Sequence, residues 1–111
     1  MNEIKNCGAQ GDVLFRRIQV IPGEALENTA KDANVVAHSE TGHNHVVETP
    51  NTQFFSTDDP MVSYMRVKGE YADVVHHRMW DTHGTLRLLK GDWEIRRQRE
   101  WTPEGLRRVE D

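Results

Sequence analysis

Apolar residues in this chain recur at every second position, in short runs closed by glycine or proline, and that spacing restricts the fold more than any other feature. Leu86 and Leu88, then Trp93 and Ile95, are placed as a strand with one face on a core requires. No stretch carries the period of about 3.6 residues that marks an amphipathic helix. Asp12–Val20 (DVLFRRIQV) is β-branched and aromatic and stops at Pro22-Gly23, which predicts a first strand and a turn. Glu24–Asn34 is polar and reads as a loop. Val35–His38 and His43–Val47 flank Ser39-Glu40-Thr41-Gly42, the signature of a β-hairpin. Pro50–Pro60 predicts a short edge strand or packed loop. Ser63–Val67 and Tyr71–Met79 are read as strands about a tight turn at Lys68-Gly69-Glu70, and Thr85–Leu89 and Trp93–Trp101 as a hairpin about Lys90-Gly91-Asp92. Thr102 as N-cap and Pro103 at the first helical position predict a short C-terminal helical turn.

About seven or eight short strands with glycine-rich turns predict an all-β fold, a small antiparallel sandwich or barrel. At 111 residues the expectation is one domain over 1–111, with a polar N-terminal arm at 1–11 and the terminal turn or helix at 102–111. The single cysteine, Cys7, cannot form an internal disulfide, which fits a reducing compartment. No apolar run approaches the roughly 18 residues of a membrane span, and MNEIKNCGAQ has neither part of a secretory signal, so the expected location is cytoplasmic. A net charge of −4 argues against general nucleic-acid binding. The charge is uneven, however: residues 87–108 carry seven basic residues against four acidic ones, a segment suited to an acidic partner or phosphates.

Six histidines in 111 residues, three of them within Ala37–Val46, are the densest chemical signal. If the hairpin loop is even, His38 stands opposite His43 and Val36 opposite His45, which gathers His38, His43 and His45 on one face. An odd loop pairs Ala37 with His45 and turns His38 away. Imidazoles about 5 Å apart across a hairpin can converge on an ion at the Zn–N distance of roughly 2.0–2.1 Å. His77 and His83 are the candidates for a further ligand, favoured over His76 if alternation holds His77 in phase with Val75 and Met79. Glu48 and Asp81 would orient a ligating imidazole. Several first-row ions accept imidazole, with zinc the first expectation.

Two resemblances extend this reading. Gly42-His43-Asn44-His45 with Glu48, followed by the Gly91-Asp92-Trp93 turn, resembles the two cupin motifs. It implies a histidine-ligated metal in a barrel, with His77 or His83 borrowed because no histidine follows Gly91. Gln10-Gly11-Asp12-Val13-Leu14, Ser39–His45, His83-Gly84 with Leu86 and Leu88, Arg97–Trp101 and Arg108–Asp111 together resemble a family of small uncharacterised bacterial and phage proteins. That resemblance implies a shared fold and no transferable activity.

On one strand, Arg97, Arg99 and Trp101 would share a face with Trp93 and Ile95. They would form an anion or single-strand groove, unless Glu94, Glu100 and Glu104 neutralise the arginines. The expected function is a divalent-metal-binding β-domain, with a metal-assisted hydrolase or lyase as its catalytic form. The alternative is a phage-encoded accessory or virion interaction protein, with a protein partner or a second copy of itself and no catalysis.

Overall fold

The computed structural model describes residues 2–37, 44–76, 84–97, 99–102 and 105–108. Every regular element among them is a strand. These are β1 (Asn2–Ile4), β2 (Cys7–Gln10), β3 (Val13–Ile18), β4 (Leu26–Glu27), β5 (Val35–Ala37) and β6 (His45–Val47), followed by β7 (Thr52–Ser56), β8 (Val62–His76), β9 (Leu86–Arg97), β10 (Arg99–Thr102) and β11 (Gly105–Arg108). Nine strands form one sheet of order β2-β3-β9-β8-β6-β5, with β1 on β9 and the β7–β4 pair on β8. All its pairings are antiparallel except β1 with β9. The all-β expectation holds, and the sheet curls into a half-barrel. No helix among the described residues is long and apolar enough to cross a membrane.

The two glycine triplets read as turns lie instead inside the continuous strands β8 and β9, side by side. Val67 pairs with Gly91 and Tyr71 with Leu89, so Lys68, Gly69 and Glu70 bulge against Lys90 alone. Turns and bulges both call for glycine beside polar residues, so local composition cannot separate them. Gly91 has φ 142°, a conformation that L side chains rarely adopt. The Trp93 indole N–H donates to the Leu89 carbonyl across this point (2.9 Å), and the Lys68 amide donates to Asn51 O on the β8 side (2.9 Å).

The bulge also inverts the alternation. Met65 and Val67 face the core before it, and Ala72, Val74 and His76 after it. In β9 the core residues change phase likewise, from Leu86 and Leu88 to Trp93 and Ile95. A ribbon bent here presents the concave side of both its arms. One arm carries β3 and β7, the other β1 and β6. Val13, Phe15, Met65, Trp93 and Ile95 from the first arm pack into one core with Val47, Ala72, Val74, Leu86 and Leu88 from the second.

Both chain ends depart from the sequence reading. The N-terminal arm contains β1 and β2, because β9 exposes edge positions on which Asn2–Ile4 can pair. The predicted C-terminal helix is replaced by the β10–β11 hairpin, with Thr102 opposite Gly105 and Arg99 opposite Arg108. So few residues cannot offset helix nucleation, whereas β11 gains a paired strand.

On the convex face, Glu94 takes Arg16 from β3 (3.3 Å) and Arg96 from its own strand (3.4 Å), and cross-strand ion pairs join Arg66 to Asp92 (2.9 Å) and Arg87 to Asp73 (2.8 Å). Burial works against ionised Glu94, but hydrogen bonds from Arg96 and Arg16 outweigh it and hold the carboxyl below its usual range. Its stabilising contribution is therefore complete above the ordinary value of 4.5 and lost as pH falls through the lower folded-state value. In urea unfolding, Glu94→Gln should be less stable than wild type at about pH 6, with the gap closing below about pH 4. At the bend, Gly91→Ala should cost about 1–3 kcal/mol through its backbone conformation. Gly23→Ala meets no atom within 4 Å and should stay within about 0.5 kcal/mol of wild type in the same assay.

Candidate functional site

Bending the ribbon brings its far ends together, and a polar cluster occupies the place where they meet. Four buried polar residues gather there: Gln10 at the end of β2, Asp12 in the turn before β3, His45 at the start of β6 and His76 at the end of β8. Arg97, the last residue of β9, joins them from the opposite end of the ribbon.

Gln10 reaches across the half-barrel. Its Nε2 donates to the carbonyls of Val74 (2.9 Å) and Gly84 (2.6 Å), and its Oε1 lies 2.8 Å from His45 Nδ1. Asp12 is 1% exposed and holds Arg97 Nη2 at 3.1 Å through Oδ2, while its Oδ1 lies 3.8 Å from His45 Nε2. His45 and His76 are directly paired across β6 and β8, and their rings stack at 4.1 Å with 12° between planes.

The hairpin takes the odd alternative beside its loop: Ala37, not Val36, stands opposite His45. The pairing slips between Val35, opposite Val46, and Ala37, so one extra residue on β5 changes the parity. His38, His43, His77, Asp81 and His83 lie outside the described residues. Among the described residues that flank them, Ala37 pairs with His45 and His45 with His76, and Gly84 accepts a hydrogen bond from Gln10.

His76, ranked behind His77 by simple alternation, faces the core, because the bulge at Lys68–Glu70 inverts the phase of β8. Glu48 is exposed just past the end of β6, in the phase opposite to His45 and Val47. Arg97 is on the face of Trp93 and Ile95, but its charge is matched by Asp12. The stretch Trp93–Trp101 read as one strand divides into β9 and β10, so Arg99 and Trp101 belong to a separate two-stranded sheet. The cupin-like turn at Gly91 is not a hairpin turn but the bend of β9.

Sequence reasoning missed Gln10, Asp12 and His76 as partners of His45. The available signal was the Gln10-Gly11-Asp12 string, two polar side chains about a glycine (φ 60°) immediately before an apolar strand. A separate cavity of about 250 Å³, lined by Asp32, Val36, Phe54, Thr57, Tyr64 and Ile95 among others, shares no residue with the cluster.

A ligating nitrogen directs its lone pair along the plane of its ring. The near-parallel stack therefore prevents His45 and His76 from holding one ion together at the usual bond length of about 2 Å. His45 Nε2 and Asp12 Oδ1 are the better-matched donors. Their 3.8 Å separation is slightly wider than the roughly 3.4 Å spanned by two tetrahedral zinc ligands. Among the described residues no group of three His, Cys, Asp or Glu converges on a metal position.

The chain belongs to a family described as a domain of unknown function (DUF8820), whose profile matches residues 9–98. That span runs from β2 to the end of β9 and includes Gln10, Asp12, His45, His76 and Arg97. No curated protein and no solved structure matches the chain.

Removing the Asp12 charge takes a buried carboxylate away from a largely buried guanidinium. Asp12→Asn should therefore cost about 3 kcal/mol in chemical denaturation, and Asp12→Asn with Arg97→Met should recover part of that loss.

Proposed function

We propose that this member of the family is a divalent-metal-binding β-domain, with zinc the favoured ion and His45 the anchoring ligand. The observation that carries the reading is the approach of His45 Nε2 to Asp12 Oδ1 at 3.8 Å in a buried position. An acceptor nitrogen facing a carboxylate oxygen is stabilised by a positive charge between them, and a metal ion supplies one as readily as a proton. Arg97 would fix the carboxylate through its other oxygen, leaving Oδ1 toward the imidazole.

The remaining ligands would come from His38, His43, His77 and His83, with Asp81 as an orienting carboxylate. Ala37, His45 and His76, which lie at described ends of the connections that carry these residues, are cross-strand neighbours. His76 would serve as the packing wall of the site. A catalytic version would need one open coordination position for a water, which the ion would acidify for hydrolysis or elimination.

A second reading, a protein-interaction role, has its own observation. Among the described residues the β10–β11 hairpin pairs with no strand of the nine-stranded sheet, and an isolated two-stranded hairpin is marginal in water without a surface to cover it.

Elemental analysis of protein purified without an affinity tag should find stoichiometric metal, lost in His45→Ala, and chelator should lower the melting temperature of wild type. Metal-free protein whose melting is indifferent to chelator overturns the metal reading. In that case native mass spectrometry of the full chain should show a dimer or a bound partner if the interaction reading is correct.

A further inference from the structure

We infer that Gln10 is the positioning residue of the His45 site: its carboxamide decides which ring nitrogen of His45 carries the proton, and so which nitrogen is offered to an ion. The role toward a metal rests on the reading above, while the control of the proton stands on geometry alone.

A carboxamide has one donor end and one acceptor end, and here the donor end is identified by its surroundings. Gln10 Nε2 lies against two backbone carbonyls, Val74 O and Gly84 O, at 2.9 and 2.6 Å. Carbonyls only accept, so the end that meets them is the NH₂. Turning the amide over would set its oxygen against two other oxygens and leave both carbonyls without their donor. The other end is therefore Oε1, which only accepts. His45 Nδ1, 2.8 Å away, must be the donor of that bond.

In a neutral imidazole the proton on Nδ1 leaves the lone pair on Nε2, the nitrogen directed toward Asp12 Oδ1. Ligating histidines are commonly held in this way, with the second ring nitrogen donating to a fixed oxygen. Gln10 can hold the ring firmly because the residue itself is 4% exposed and anchored to β8 and to the start of the β9 arm. Without it, Asp12 Oδ1, 3.8 Å from Nε2, remains beside the ring as a charged acceptor, and the proton should move to Nε2 to meet it. That tautomer blocks Nε2 as a ligand.

Long-range ¹H–¹⁵N correlation on metal-free wild-type protein at about pH 8, above the ordinary imidazole value of about 6.5, reads the tautomer directly. The expected spectrum shows His45 Nδ1 protonated and Nε2 unprotonated. Gln10→Met, similar in length but unable to accept the bond, should shift His45 toward the Nε2–H form. It should also bind zinc about 10–100-fold more weakly in competition with a chromophoric chelator.

A wild-type His45 protonated on Nε2, or on both nitrogens, overturns the inference, and this measurement needs no variant to fold. A Gln10→Met protein that keeps the Nδ1–H form overturns the assignment to Gln10. Wild type that shows the expected tautomer but takes up no zinc overturns the metal reading, while Gln10 keeps its hold on the proton.

Discussion

The bend in the β8–β9 ribbon is the constraint on which the rest of the half-barrel depends. Two strands long enough to run through the bend supply both arms of the sheet, so the central pairing of one arm is covalently continuous with that of the other. The three-against-one bulge and the positive φ of Gly91 permit the turn, and the buried indole of Trp93 ties it down through Leu89 O. Arg17 stands over the Trp93 ring at 5.1 Å, so one tryptophan links the backbone of the bend, the core and the neighbouring strand.

Closing the arms removes polar groups from water, and the cluster at their junction answers that cost. Gln10 donates to the buried carbonyl of Val74 and to the partly exposed one of Gly84. Arg97 arrives from one end of the ribbon and His76 from the other, and Asp12 and His45 connect the two. Stability and chemistry share these atoms. A substitution there is thus judged by two readouts, one for folding and one for the state of the His45 ring.

The strand content, the hairpin at Val35–Val47 and the inward alternation of Leu86/Leu88 and Trp93/Ile95 were legible in the sequence, because each rests on a local period of two. The bend was not. Lys68-Gly69-Glu70 and Lys90-Gly91-Asp92 carry the composition of turns, and only their mutual pairing, a long-range fact, makes them bulges. The same slip explains the site. His76 faces inward because the phase inverts just after Val67, nine residues earlier, and Ala37 meets His45 because β5 carries an extra residue. His45 was identified by its neighbours in sequence, whereas Gln10 and Asp12 reach it only through closure of the sheet. Arg97 had the composition of an anion contact, and a carboxylate 85 positions away in sequence takes its charge.

The parallel pairing of β1 on β9 and the antiparallel pairing of β3 on the same edge have a consequence for the order in which the chain can assemble. Both early strands must wait for β9, roughly eighty residues downstream on the ribosome, and before then β3 has only β2 beside it while β1 lacks the strand it pairs with. Until β9 emerges, Val13 and Phe15 have no sheet to enter, and the apolar face of β3 is open to other nascent chains. Completion of the sheet consequently waits on one strand, and the interval before it is when the apolar face of β3 is least protected.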